Sequence, residues 1–242
     1  LIFAGLMGLA ILIYVILDGF DLGIGFLFAV AEDGEQDTMI AAIGPFWDAN
    51  ETWLVLGIGI LLIAFPKAHG LVLGELYLPV ALMLIGLTLR GVAFDFRVKA
   101  RDSHKRTWDR LFFAGSTLAS VSQGWMLGRY VSGFGNGWNY PLFAAAIAAA
   151  LPMAYVMMGA TWLVMKTEDE LQTRMLKLAR PLTLMLLAAI AVVSVWTPLS
   201  QHQVAERWFS FPNLLILSPV PLLVAGAAFW LLWSLQRDPY WK

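Results

Sequence analysis

The sequence predicts an all-α, polytopic transmembrane bundle of about seven spans, and three observations carry that expectation. Of the 242 residues, 60% are hydrophobic and 14% are charged. Soluble domains run at roughly 45–50% apolar and 25% charged, and a soluble core of this size could not hide so much apolar surface. The apolar residues also fall in long runs broken by short polar stretches, and the basic residues gather in alternate connections.

A span needs roughly 20 apolar residues in a helix, and in lipid such a run must satisfy its own backbone hydrogen bonds. Runs of this kind lie at 3–30, 46–65, 71–96, 111–131, 142–165, 181–199 and 213–235. Gly44-Pro45 suits a helix start, since proline is tolerated in the first turn, and Pro141 and Pro181 read the same way. Pro66 is expected to close the second span, Pro152 to kink the fifth, and Pro219 and Pro221 to distort the start of the seventh. Residues 167–180 read either as an amphipathic interfacial helix, with Leu171, Met175 and Leu178 on one side, or as a solvated connector. The whole chain, 1–242, reads as a single transmembrane domain without repeats. It begins with Leu, so the native start is expected upstream. Ala29-Val30-Ala31 is not read as a signal-peptide cleavage site. The apolar run before it exceeds the ~7–15 residues of a signal sequence and contains Asp18 and Asp21.

Loop charge sets the expected orientation. Arg97, Lys99, Arg101, Lys105, Arg106 and Arg110 follow the third span. Lys166, Arg174, Lys177 and Arg180 follow the fifth, and Arg237 and Lys242 lie in the tail. By the positive-inside rule these loops and the C-terminal tail face the cytoplasm of a bacterial cell, and the N-terminus faces outward. The connection with Glu32, Asp33, Glu35 and Asp37 is then cytoplasmic although acidic, which the rule tolerates. Trp138, Tyr140, Trp196 and Trp208 on one side, and Trp230, Trp233 and Trp241 on the other, fit aromatic belts.

Several chemistries are excluded. A net charge of -1 gives no nucleic-acid footprint. The absence of cysteine removes disulfides, iron–sulfur clusters and thiolate-ligated haem. His69, His104 and His202 fall in loops or at helix ends, so none is placed as an axial haem ligand at membrane depth. No metal-ligand set, nucleophile–base pair or phosphate-binding loop is present; the glycine-rich segment 132–137 lacks the lysine such a loop requires.

Charges within the spans are costly, and they mark an interior, a partner or a cavity. Tyr14, Asp18, Asp21 and Gly25 share one face of the first span, and Gly19 and Gly23 form a GxxxG that admits another helix closely. Asp48 and Glu51, three apart, open the second span together with Asn50 and Trp53. Glu75, Arg90 and Asp95 lie on the third. With the orientation above, Asp18 and Asp21 lie roughly 14–18 Å from the inner end of their helix. Five carboxylates and Arg90 are thus expected in the cytoplasmic half of the first three spans. Ion pairs can be plain helix–helix glue, and Arg90 with one carboxylate reads that way too; Asp95 and Glu75, near helix ends, also read as solvated caps. Asp18, Asp21, Asp48 and Glu51 together exceed one nearby base, and carboxylates strung inward from one surface are what a proton relay requires.

These residues fall into three motifs. Asp18-Gly19-Phe20-Asp21-Leu22-Gly23-Ile24-Gly25 resembles the D-G-F-D-x-G-x-G motif in the first helix of subunit II of cytochrome bd quinol oxidases. Residues 47–54, from Trp47 to Leu54, resemble that family's W-D-x-N-x-x-W-L segment, and residues 90–97 resemble its R-x-x-x-F-D-[YF]-R ending to the third helix. Glu51, where some members have Gln, resembles the branch called cyanide-insensitive oxidases. The resemblance is strongest from about residue 10 to 110 and is topological beyond it. The family has about nine helices, so the last pair is expected to be missing here.

The resemblance implies a two-subunit membrane enzyme that oxidises quinol and reduces dioxygen to water. Haem b, haem d and the quinol site would lie in the partner, subunit I. This chain would ligate no haem and no metal, and would contribute no catalytic residue. It would have subunit I and membrane lipid as partners, with room for a small single-helix subunit. The resemblance associates Asp48, Asp95 and Asp21 with a hydrophilic proton path, to which the depth pattern adds Asp18 and Glu51, and it places Trp53 at the mouth of a dioxygen path. Arg90, Gly19 and Gly23 read as structural. The alternative class is a proton-coupled secondary transporter with a midplane site on broken helices, which Pro152 and Arg90 could serve. A purely structural scaffold is the third.

Overall fold

In a computed structural model, which describes residues 1–32 and 34–235, every long apolar run is helical. Asp33 of the acidic connection and Arg237, Trp241 and Lys242 of the tail lie outside the described residues. The elements are α1 (Ile2–Leu27), α2 (Glu35–Ile43), α3 (Trp47–Ala64), α4 (Pro66–Lys99), α5 (Asp102–Val131), α6 (Asn139–Lys166), α7 (Asp169–Ser200), α8 (His202–Phe209), α9 (Asn213–Leu217) and α10 (Pro219–Ser234).

Among the described residues, six stretches are long and apolar enough to cross a membrane: α1, α3, α4, α6, α7 and Asn213–Ser234. The expected fourth span is α5, whose 30 residues could cross but whose composition is more polar. Its polar side chains turn inward: Ser116, Ser120 and Gln123 are buried, while Val121, Leu127 and Tyr130 are exposed. The outer surfaces of the other helices are apolar, as Leu6, Leu12 and Ile16 of α1 and Leu222, Leu223 and Phe229 of α10 illustrate.

The structure corrects several boundaries. The acidic connection contains α2, which buries Met39, Ile40 and Ile43 against the core. Pro66 does not close a span but opens α4 at a position where its missing N–H is no loss; the break lies at Phe65. Pro181 does not start a helix either. Residues from Asp169 onward are already helical, and α7 runs through Pro181 and Pro198, a 32-residue helix absorbing the lost ladder bonds. The seventh expected span divides at Ser218 into α9 and α10, with Pro219 in the first turn of α10.

Helix α1 is the centre of the bundle and packs on α3, α5 and α6. Phe20 stacks on Trp162 of α6 at 4.1 Å between ring centroids, and the Trp162 indole N–H donates to the Ala42 carbonyl at 3.1 Å. The GxxxG of α1 is used within the chain. A methyl group on Gly23 would lie 1.8 Å from the Tyr155 carbonyl oxygen of α6, and one on Gly159 would lie 2.7 Å from the Gly23 backbone. Gly19 faces the Tyr155 ring and the Met158 side chain, which can yield. Gly23→Ala is therefore expected to destabilise the fold by about 1–3 kcal/mol or more, because backbone must move, and Gly19→Ala by less. Thermal unfolding of the two variants measures this, and equal tolerance would refute the assignment of this contact to α1 and α6.

Candidate functional site

Three of the helices that surround α1 deliver polar side chains to it. Arg90 of α4 is 1% exposed, at a level where Gly86 and Gly115 bring α4 and α5 into backbone contact. Its Nη2 donates to Asp18 Oδ1 of α1 at 2.6 Å and also to Glu51 Oε1 of α3. Asp18 is fully buried, whereas the Glu51 side chain is 26% exposed and carries the cluster to the surface of the chain. One turn along α1, Asp21 accepts a hydrogen bond from Asn50 Nδ2 of α3 at 2.8 Å. Hydrogen bonds to a charged partner contribute roughly 1.5–3 kcal/mol each, and buried ones hold their geometry tightly.

The cluster thus contains three carboxylates, Asp18, Asp21 and Glu51, against one guanidinium. One oxygen each of Asp18 and Asp21, two nitrogens of Arg90 and the Ser116 hydroxyl are buried without a hydrogen-bond partner among the described residues. The Asp18, Asp21 and Arg90 atoms belong to one cluster and suit ordered water, while Ser116 of α5 lies against Gly25, further along α1.

A second set continues from Asp18 toward the N-terminal end of α1. Tyr155 of α6 donates to Gln123 Oε1 of α5 at 2.7 Å, and Gln123 Nε2 donates to the Tyr14 hydroxyl of α1 at 2.6 Å. Tyr14 is one turn from Asp18 on the same face.

The residues expected from the sequence divide accordingly. Asp18, Asp21, Glu51 and Arg90 come together. Asp48 and Asp95 are exposed, and neither is bonded to Arg90. Asp48 pointed away although Glu51 turned in: positions three apart on a helix differ by about 60° around the axis, enough to separate a lateral face from an inward one. Trp53 is half-buried on α3, and Glu75 is exposed on α4. Gly19 and Gly23 face α6. Asn50 was named at the opening of the second span without a role, and Gln123 and Tyr155 were not singled out; the signal that could have found Gln123 is its position well inside a span.

Arg97, the last residue of the third motif, was read only as loop charge. It is 4% exposed, and it ties α4 to α2 through Asp37 at 2.5 Å and to α5 through Asp109. The hydrogen bond from Arg97, joined by Lys105 at 3.2 Å, holds the Asp37 carboxyl below its ordinary range. Arg174 of α7 binds Glu32 of the connection after α1 at 2.5 Å and Glu35, the first residue of α2, at 3.2 Å. These ion pairs close the end of the bundle at which α2 lies.

Among the described residues no group of three or more His, Asp or Glu side chains is placed to hold a metal ion. His69 and His104 sit in the first turns of α4 and α5, at helix ends. The chemistry of the buried cluster itself is that of carboxylates, an arginine and an amide.

Known proteins share this arrangement of sequence. The chain is 30% identical over 211 residues to cytochrome bd-I ubiquinol oxidase subunit 2 of Escherichia coli K12, covering 79% of this chain and 55% of that protein. It is 41% identical over 109 residues to cytochrome bd ubiquinol oxidase subunit 2 of Bacillus subtilis 168, covering 43% of this chain and 32% of the relative. A probable cytochrome oxidase subunit 2 of Haemophilus influenzae is 27% identical over 203 residues, 76% of this chain and 53% of its own length. The chain thus spans about half the length of the Escherichia and Haemophilus relatives it matches. The family model for cytochrome bd terminal oxidase subunit II matches residues 1–241, so nearly the whole length of this bundle, with the ionic cluster at its centre, belongs to the cytochrome bd terminal oxidase subunit II family.

Proposed function

We propose that this chain acts as the subunit of a membrane quinol:dioxygen oxidase that supports a haem-bearing subunit I and conducts protons toward it. The observation that carries the reading is the buried cluster of Glu51, Arg90, Asp18, Asp21 and Asn50, which joins three helices and reaches the surface at half-exposed Glu51. Asp48, exposed on the first turn of α3, is the outermost station and Asp21 an inner one; Asp95 on α4 lies at the same end of the bundle. Trp53, half-buried nearly two turns into α3, is assigned to dioxygen access.

The partner implied by this role is subunit I, carrying haem b, haem d and the quinol site, with lipid around both and a small single-helix subunit as an additional neighbour. Two quinols release four electrons and four protons as they become quinones. One dioxygen takes up four electrons and four protons to give two waters. The basic residues at the α2 end, including Arg97, Lys105 and Arg106, favour a cytoplasmic location for that end in the bacterial inner membrane. Protons drawn through it for dioxygen reduction, while those of quinol leave on the other side, charge the membrane without a pump. A secondary transporter, the other class open from sequence, is not the family to which the chain belongs.

The test is to purify the native complex and, separately, this chain alone. The complex is expected to show b- and d-type haem absorption and quinol-dependent dioxygen uptake, and the isolated chain no stoichiometric haem. A stoichiometric haem on the isolated chain would overturn the division of labour, and a haem-free native complex would overturn the oxidase reading.

A further inference from the structure

Beyond Tyr14 and Gln123 the buried polar side chain among the described residues is Ser132, at the end of α5, and its hydroxyl is satisfied locally by the Arg129 carbonyl at 3.0 Å. On the far side of Tyr14, toward the N-terminal end of α1, the one buried residue of α1 is Ala10. On the same side of Gln123, α5 buries Gly124 and Gly128, and these press against Ala148 and Ala144 of α6. A methyl group on Gly124 would lie 2.6 Å from the Ala148 backbone, and one on Gly128 2.4 Å from that of Ala144. Backbone contact of this kind leaves no room for water, and an apolar wall offers water no partner.

At the boundary between the polar and the dry half stands the bridge of Tyr155, Gln123 and Tyr14, which crosses α6, α5 and α1. Gln123 is the middle of it, with Oε1 taken by Tyr155 and Nε2 committed to Tyr14. An amide is a poor proton carrier, because near neutral pH it neither loses an N–H proton nor takes one up. Gly19 seats the bridge further, its α-carbon facing the Tyr155 ring.

We propose that Tyr14, Gln123 and Tyr155 form the closed end of the proton path, a plug that makes it a half-channel open to one side of the membrane. The proposal rests on the reading of the ionic cluster as a proton path. Its physical sense is that a hydrated carboxylate path through the whole bundle would short-circuit the gradient that the oxidase builds. The plug ends the path at Asp18 with hydrogen-bonded side chains that tolerate the polar neighbour, where an apolar residue would leave the tyrosine hydroxyls unsatisfied.

The experiment uses the native complex, this chain with its partner, reconstituted in vesicles at equal haem content. Gln123→Ala removes the amide and leaves a space lined by two hydroxyls, which admits water. An imposed pH gradient is expected to decay several-fold faster than with the unaltered complex. Turnover in the presence of an uncoupler is expected to be retained. The added leak is expected to vanish when Asp21→Asn is combined with Gln123→Ala, since the leak runs through the path. Should Gln123→Ala lower haem content, Tyr155→Phe keeps the ring beneath Gly19 and loses only the donor; a smaller leak of the same kind is expected. Vesicles as tight as the unaltered complex with the variant that assembles would overturn the plug, and so would a leak that survives Asp21→Asn. If Asp21→Asn alone leaves turnover unchanged, the proton-path reading fails, whatever the leak measurements give. If it slows turnover while the plug variants stay tight, only the plug fails.

Discussion

Replacing Arg90 by Gln is expected to cost the protein its folded core. Arg90 is buried at 1% exposure between two carboxylates, and one of them, Asp18, has no access to solvent. Removing one member of a buried ion pair costs about 3–5 kcal/mol, because the remaining charge stays buried and unpaired. That is a large share of the roughly 5–15 kcal/mol that holds an ordinary domain together. The expected result is a loss of assembled complex, read as haem recovered per cell and as a lowered unfolding temperature. Arg90→Lys is expected to recover only part of the stability: its ammonium has donors enough for both carboxylates, but it lacks the planar guanidinium that fixes their directions. Asp18→Asn in the Arg90→Gln background is expected to restore much of the stability, because Glu51 is half-exposed and can be solvated. An Arg90→Gln complex as stable as the unaltered one would show that the pair is not structural.

Asp21→Asn is expected to act on rate instead. The new side chain keeps nearly the same volume, and its amide oxygen can still accept from Asn50 Nδ2, so the contact between α1 and α3 survives. A carboxylate can take up and release a proton; an amide cannot. Quinol oxidase turnover per haem is expected to fall roughly tenfold, equivalent to about 1.4 kcal/mol on the limiting step. Asp48→Asn is expected to act in the same direction but less, because Asp48 is exposed and water can replace it. Haem content and unfolding temperature are expected to stay unchanged in both. The alternative role for Asp48, pairing with Arg90, is removed by the structure, where Arg90 is bonded to Asp18 and Glu51. Full turnover per haem in Asp21→Asn would sink the relay, and full turnover in Asp48→Asn alone would remove only its outermost station.

That Arg90 would pair with a carboxylate was legible, because opposite charges in apolar helices have few other partners, but the sequence did not single out Asp18 as that partner. Which residue of α3 would join them was not legible either. Asp48 and Glu51 share the opening of one helix, and only its rotation about its axis decides that Glu51 turns inward; rotation is set by packing, such as Gly57 against Ile11, that no local pattern announces. The Tyr155–Gln123–Tyr14 bridge was invisible for a different reason: it joins residues 109 and 32 positions apart, each unremarkable in its own helix. The spans were legible from apolar run length, but proline was ambiguous. The same residue opens α4 at Pro66 and passes through the middle of α7 at Pro181. Helix α2 was hidden by its length of 9 residues, too short for an amphipathic period to emerge from an acidic sequence.

The distance along the chain between Asp18 and Arg90 has a consequence for how the protein is made. Their partnership spans 72 residues. At roughly 5–20 residues per second, about 4–14 s of synthesis separate the appearance of the acid from that of its base. During that interval α1 leaves the ribosome with two aspartates, each of which costs roughly 2.5–3.5 kcal/mol to place at the centre of a bilayer alone. Helix α3 emerges sooner and brings Asn50 to Asp21, but Asp18 waits for α4. The apolar residues of this 26-residue helix must offset that cost until α4 arrives, and the arrival of Arg90 then removes it for Asp18.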